Sequence, residues 1–170
     1  MAFKYRRLDA EHAAQWQALR LEGARDFPLG FLVTLEETEA TSLERAGQIL
    51  GAGAQRGIFE QDELVGFCGF RRTLLQRMRH RAEVGPFFVT SGYQGTDAAS
   101  QMMSGVIEEA RSKGVEQLEL FVDTQNARAI RFYERLGFER AATYRDSVRI
   151  DGVSHDDYFM TLRLAGQDVT

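Results

Sequence analysis

The chain opens with FKYRRL (3–8), where apolar and charged side chains alternate as on a strand with one buried face. In DAEHAAQWQALRLEG (9–23) the period changes. Ala13, Trp16, Leu19 and Arg20 fall at helical spacing, with Asp9 placed to cap the start and Gly23 to stop the end. RDFPLGFLVT (25–34) is apolar and irregular, broken by Pro28 and Gly30. A second helical region opens at Thr34 or Thr41 and runs to about Leu50, where GAGAQRG (51–57) ends it. GIFEQ and LVGFCGF are strand-like runs joined tightly at Asp62-Glu63, and they read as a hairpin. LLQRMRHR fits neither template, and AEVGPFFV (82–89) is a further strand.

From Ala98 to Lys113 the pattern is helical, with Met102, Met103, Val106, Ile107 and Ala110 on one side and Gly114 closing it. VEQLELFV (115–122) is a strand, and NARAIRFYERLGF (126–138) a helix from Asn126 to Gly137. Two last strands, about 138–150 and 155–164, meet at the hairpin-type turn Asp151-Gly152. The order is strand, two helices, three strands, helix, strand, helix, two strands. It predicts an α/β (α+β) fold: a mixed, mostly antiparallel sheet of six to seven strands flanked by about four helices. Strand 82–89, its helix and strand 115–122 must form one central parallel crossover, right-handed by the usual rule.

A chain of 170 residues suits a single domain, residues 1–170, able to bury about 70% of its unfolded surface. The net charge of -4 supplies no basic field, so no nucleic-acid partner is expected. Cys68 is the only cysteine; no internal disulfide can form, and its apolar setting reads as core. The opening MAFKYRRLDAEH has no apolar signal segment, and no run approaches membrane-spanning length. A cytoplasmic location without a membrane partner is expected. Two readings stand for Arg71, Arg72, Arg77, Arg79 and Arg81: attraction of an acidic ligand, or an exposed basic loop.

The crossover gives the chemistry a place. Its helix start lies at the carboxyl end of the sheet, where free N–H groups and the helix dipole favour an anion. In the loop 93–98, Gly95, Ala98 and Ala99 are small enough for close backbone approach. Pro86 cannot donate to a ladder and suits either a plain edge strand or a bulge near Phe87-Phe88. A bulge would free backbone groups for an extended amide-bearing ligand. Glu83, in an otherwise apolar strand, faces solvent or a cleft. Asn126 and Tyr133 stand seven residues apart on one helix side, about 10 Å along the axis. They read as a helix cap and a core residue, or as two ligand contacts. His155-Asp156-Asp157 follows a hairpin turn and reads as polar residues on the surface, so no metal is expected. A Gly-Lys-Ser/Thr nucleotide loop is lacking.

Three stretches together resemble the GNAT family of acyl-CoA N-acyltransferases: VGPFFVTSGYQGTDAASQMM, LELFVDTQNARAIRFYERLGFE and the closing DGVSHDDYFMTLRL. The likeness covers about residues 56 to 164. It implies acetyl-CoA as acyl donor and a primary amine of a small molecule or peptide as acceptor. By position, backbone groups at Phe88 and Val89 would hold the pantetheine arm and thioester carbonyl. Gln94, Gly95, Thr96, Asp97, Ala98 and Ala99 would surround the pyrophosphate. Asn126, with Ala129 of the same signature, would meet the pantetheine arm, and Tyr133 would sit near the sulfur. Glu83 is the implied base and Tyr133 the implied proton donor to the thiolate.

The departure is Asp97, where the family pattern has Gly. A carboxylate about 5 Å from one phosphate charge costs about 3 kcal/mol at an effective dielectric near 20. Either coenzyme binds weakly, or the carboxylate turns to solvent, or the activity is lost and a non-catalytic acyl-CoA-binding or interaction module remains. The second reading is favoured, because the other loop and helix positions keep the pattern. The acceptor is not legible; the apolar DFPLGFLV stretch suits an acceptor-cleft wall or a homodimer contact.

Overall fold

A computed structural model describes residues 2–164. Strand β1 (Phe3–Arg7) leads through a short turn of 3-10 helix, capped by Asp9, into α1 (Ala13–Asp26). Two helices follow, α2 (Leu35–Glu39) and α3 (Leu43–Gly51), then β2 (Gln55–Glu60), β3 (Glu63–Arg72) and β4 (Arg81–Val89). The crossover helix α4 (Ala98–Ser112) leads to β5 (Gln117–Asp123). Helix α5 (Ala127–Arg135) and the hairpin β6 (Glu139–Ile150) and β7 (Val153–Arg163) complete the described residues.

The strands form one seven-stranded sheet in the order β1-β2-β3-β4-β5-β7-β6. β4 and β5 pair in parallel, whereas β1–β2, β2–β3, β5–β7 and β6–β7 are antiparallel. The mixed sheet with its single crossover is the one the hydrophobic pattern predicts. Pro86 is not on an edge strand, since β4 lies between β3 and β5 in the strand order. The ladder to β5 takes in Arg81, Ala82 and Glu83. The irregularity falls just beyond, at Gly85, whose φ is 150°.

Among the described residues the helices number five, because region 34–50 is divided. Thr34 caps α2 with a reciprocal Glu37 contact, and Ser42, not Thr41, caps α3. Gly23 does not stop α1. Its missing side chain makes room for the Phe31 ring, whose Cζ lies 2.1 Å from where a Cβ would stand. The helix runs on to Asp26 because this glycine serves packing rather than chain reversal. No helix among the described residues is long and apolar enough to cross a membrane.

Packing divides the described chain into two compact units: 2–70 with 86–106, and 71–85 with 107–164. In the first, α1 and α3 cover a core of Leu8, Trp16, Leu50, Phe59, Phe67 and Phe88. Its rings interlock: Phe31 lies 5.4 Å from Phe88, and Phe67 6.2 Å from Phe88, in edge-on contact. Cys68 is fully buried, in keeping with a core role. Gly105 of α4 admits the Tyr5 ring of β1 as Gly23 admits Phe31. In the second unit β5 and β7 pair from Gln117–Arg163 to Asp123–Asp157, with Leu118, Leu120 and Met160 buried.

The Gly23–Phe31 fit is testable. Gly23→Ala overpacks the ring and should destabilise the fold by about 1–3 kcal/mol in urea unfolding. Adding Phe31→Leu, which shortens the obstructing side chain, should recover part of that loss.

Candidate functional site

In the first unit the end of β4 and the start of α4 form one fastened corner. Thr90 N–H donates to Val65 O at 2.9 Å, continuing the strand to its last residue. A Cβ at Gly66 would lie 2.8 Å from Phe88 O, so only glycine lets the chain pass this close to that carbonyl. Phe88 and Val89 are themselves buried. Glu22 of α1 then takes two hydrogen bonds, from Thr90 Oγ1 at 2.7 Å and from Ser91 N–H at 2.8 Å. Gln94 Nε2 donates back to Val89 O at 3.1 Å. Tyr93 donates its hydroxyl to Glu60, whose hydrogen bond, with burial and the Glu60 and Glu63 charges, pushes the phenol up to about 12.

Thr96 closes the turn. Its Oγ1 donates to Tyr93 O at 2.6 Å and accepts Ala98 N–H at 3.2 Å. Gly95 takes φ 82°, which glycine adopts without strain. Asp97 does not adopt a positive φ, so its backbone does not need glycine's freedom. Its carboxylate is exposed and makes no hydrogen bond or ion pair among the described residues. The N–H groups of Gly95, Asp97, Ala99 and Ser100 have no protein acceptor among the described residues. A turn with small residues, several free amides and a helix dipole behind them can hold an anion.

The second unit holds the remaining expected residues. Glu83 stands opposite Glu119 in the β4–β5 ladder and is ion-paired with Arg71, both side chains more than one-third exposed. Arg81 pairs with the buried Glu119. Two of the five arginines considered above are therefore committed to carboxylates. Asn126 caps α5, its Oδ1 accepting Ala129 N–H at 3.3 Å. Its Nδ2 has no protein acceptor among the described residues. Tyr133 is buried on the inner side of α5, its ring 5.7 Å from Phe138. The capping and core readings of these two residues are thus realised, and the amide donor of the half-buried Asn126 accompanies them.

The polar run after the last turn is a different matter. His155 and Asp157 are buried, so the surface reading is corrected for both. His155 Nδ1 lies 2.7 Å from Asp123 Oδ2, and Asp123 Oδ1 accepts Gln125 N–H at 2.8 Å. The strand pairing of β5 with β7 sets Asp157 opposite Asp123. Burial pushes the Asp157 carboxyl above its usual range, against a lowering hydrogen bond from Ser147. Among the described residues no group of three or more His, Cys, Asp or Glu is placed to hold a metal ion. Glu22 was missed by sequence reasoning, and nothing local marks it; it acts 68 residues away.

Comparison with known proteins gives this geometry a setting. The family model described as "Acetyltransferase (GNAT) family" matches residues 14–138. The chain belongs to the GNAT family. A mycothiol acetyltransferase of Brachybacterium faecium is 29% identical over 77% of this chain and 39% of its own length. An uncharacterized N-acetyltransferase of Methanocaldococcus jannaschii is 33% identical over 51% of this chain and 39% of its own. The chain thus spans about two-fifths of these curated relatives. In fold it is similar to a putative acetyltransferase from Salmonella typhimurium solved with its cofactor acetyl-CoA, at a TM-score of 0.80, 19% identity and full coverage of both chains. A ribosomal-protein-alanine N-acetyltransferase from Brucella melitensis gives 0.81 at 21% identity, covering 95% of this chain and 99% of that one. The GNAT match contains Glu22, Glu83, the 94–99 loop, Asn126 and Tyr133, and ends before the β6–β7 hairpin.

Asp157 makes a stability prediction. A buried acid with a raised folded pKa contributes most below its unfolded value near 4, and that contribution is lost as pH rises through the folded value. Asp157→Asn should therefore raise Tm at pH 7, and thermal scans should show the gain shrinking as pH falls toward about 4.

Proposed function

We propose that the chain is an acetyl-CoA-dependent N-acetyltransferase that acylates a primary amine of a small molecule or peptide. The observation that carries this is the set of N–H groups without acceptors at Gly95, Asp97, Ala99 and Ser100, in the family's own loop. They would hold the pyrophosphate with Gln94, Thr96 and Ala98, while Phe88 and Val89 offer backbone to the pantetheine arm and thioester carbonyl. Asn126 Nδ2, left over from capping, would donate to the same arm, with Ala129 alongside. Bound acetyl-CoA supplies the activated acyl group.

The chain's own residues then manage protons. An ammonium cannot attack, so Glu83 takes its proton directly or through water. The Arg71 partner does not forbid this: an exposed ion pair contributes about 0–1 kcal/mol and is readily exchanged. Backbone N–H near Val89 would stabilise the charge that develops on the carbonyl oxygen. Tyr133 would hydrogen-bond the departing sulfur; reference values near 8.5 and 10 put full proton transfer about 2 kcal/mol uphill.

A curated relative is named for mycothiol and a solved neighbour for a ribosomal-protein alanine, so the acceptor is a question for a panel of amines. Calorimetry with CoA and acetyl-CoA, followed by thiol release over that panel, tests the proposal. Absence of coenzyme binding overturns it, and binding without turnover of any amine leaves the non-catalytic acyl-CoA module. Tyr133→Phe should lower kcat more than it raises KM for acetyl-CoA, and unchanged turnover removes Tyr133 from the mechanism. Because Asp97 is exposed, Asp97→Gly should change the acetyl-CoA Kd by less than about threefold at physiological salt. A larger tightening shows that the carboxylate obstructs the phosphate.

A further inference from the structure

Helix α1 carries a cation that has no carboxylate partner among the described residues. Arg20 is only 9% exposed and lies on the stripe of α1 that includes Ala13, Trp16 and Gln17. Its guanidinium carbon sits over the Trp16 ring, 4.5 Å from the centroid. Nη1 donates to Gln17 Oε1 at 3.0 Å. Gln17 cannot turn away, since its Nε2 donates to Thr38 O at 2.6 Å and Thr41 O at 3.2 Å. The guanidinium is thus clamped by a ring on one side and an anchored amide on the other. No other acceptor binds it among the described residues, and burial lowers its pKa.

A buried cation without an anion is costly, and arginine's planar fork is shaped for a carboxylate. With Nη1 committed to Gln17, the Nε–Nη2 edge remains, and that edge can give two parallel hydrogen bonds. Trp16 Nε1 beside it is also without an acceptor and is sealed from solvent. Unlike Trp16 Nε1, the unpaired Arg20 nitrogens are not fully sealed from solvent. Ring contacts connect this spot to the proposed acyl site: Trp16 lies 6.0 Å from Phe67, and Phe67 6.2 Å from Phe88.

We propose that Arg20 is a specificity residue for the acceptor: the amine carries a carboxylate, and that carboxylate seats on the Nε–Nη2 edge. The proposal rests on the acetyltransferase reading and adds a substrate class to it, an anionic amine. Gln17 is the positioning residue that holds the fork, and Trp16 the platform beneath it.

The test is thiol release by the wild-type protein over ω-amino carboxylic acids of increasing length, each paired with its primary amide. At the matching length the acid should exceed its amide in kcat/KM by at least about tenfold, the size of a charge-assisted hydrogen bond. Arg20→Gln should bring that ratio near one without changing acetyl-CoA affinity, and Arg20→Lys should keep part of it. Amides used as well as acids by the wild-type protein overturn the proposal, as does a ratio that survives in Arg20→Gln. If Arg20→Gln does not fold, the wild-type ratio and Arg20→Lys decide. If acetyl-CoA binds but no amine of either series, nor of the wider amine panel, is turned over, the acetyltransferase reading fails by itself. Calorimetry on the acetyl-CoA-loaded protein then decides the carboxylate site: binding of acids and not amides supports it, and equal or absent binding overturns it.

Discussion

Four amide hydrogens at the entry to α4 have no protein acceptor among the described residues, and the corner that carries them is fastened by side-chain hydrogen bonds. Glu22 fixes its first residues, Glu60 takes the Tyr93 hydroxyl, and Thr96 occupies Ala98 N–H and Tyr93 O together. An unfastened loop would turn those hydrogens toward water or its own carbonyls. The local fold therefore concentrates positive potential at one helix end and keeps it there. Every functional statement about the first unit depends on that restraint.

Electrostatics around the corner also explains why Asp97 is tolerable. Two other acids, Glu22 and Glu60, already lie in the same corner, but each accepts hydrogen bonds that hold it to the frame. Asp97 accepts none and is exposed, so it is free to rotate into water and screening salt. The carboxylate that departs from the family pattern is the one with no structural duty. In the second unit the same accounting gives the opposite result for Asp157, which is buried near Asp123 and pushed toward its neutral form.

How much of this could be read along the chain depends on sequence distance. The parallel crossover, the Asn126 cap and the buried Tyr133 rest on local periodicity and turn chemistry, and all three are realised in the fold. Glycine was ambiguous because it has two uses. Gly137 ends its helix with φ 95°, whereas Gly23 stays inside one to admit Phe31. The partners that turn positions into a site were out of reach: Glu22 meets Thr90 across 68 residues, and His155 meets Asp123 across 32. His155 follows a hairpin turn, which suggests solvent, but it is buried and its ring meets the Asp123 carboxylate at the end of β5.

Donor and acceptor recognition also differ in the kind of atom they use. A pyrophosphate gripped by main-chain amides demands small residues and a fixed turn, while most side chains around it can drift. That demand is consistent with family membership surviving at 29–33% identity to curated relatives, and with a shared fold near 20%. An acceptor is chosen by side chains, which drift freely under the same backbone. Likeness therefore transmits the acyl donor far better than the amine, and the curated relatives, of which this chain spans only about two-fifths, cannot supply it. The acceptor has to be sought in charge that this chain leaves without a counter-charge of its own. Arg20 meets that condition: clamped by Trp16 and Gln17, without a carboxylate among the described residues, and placed on the helix whose Glu22 holds the β4–α4 corner.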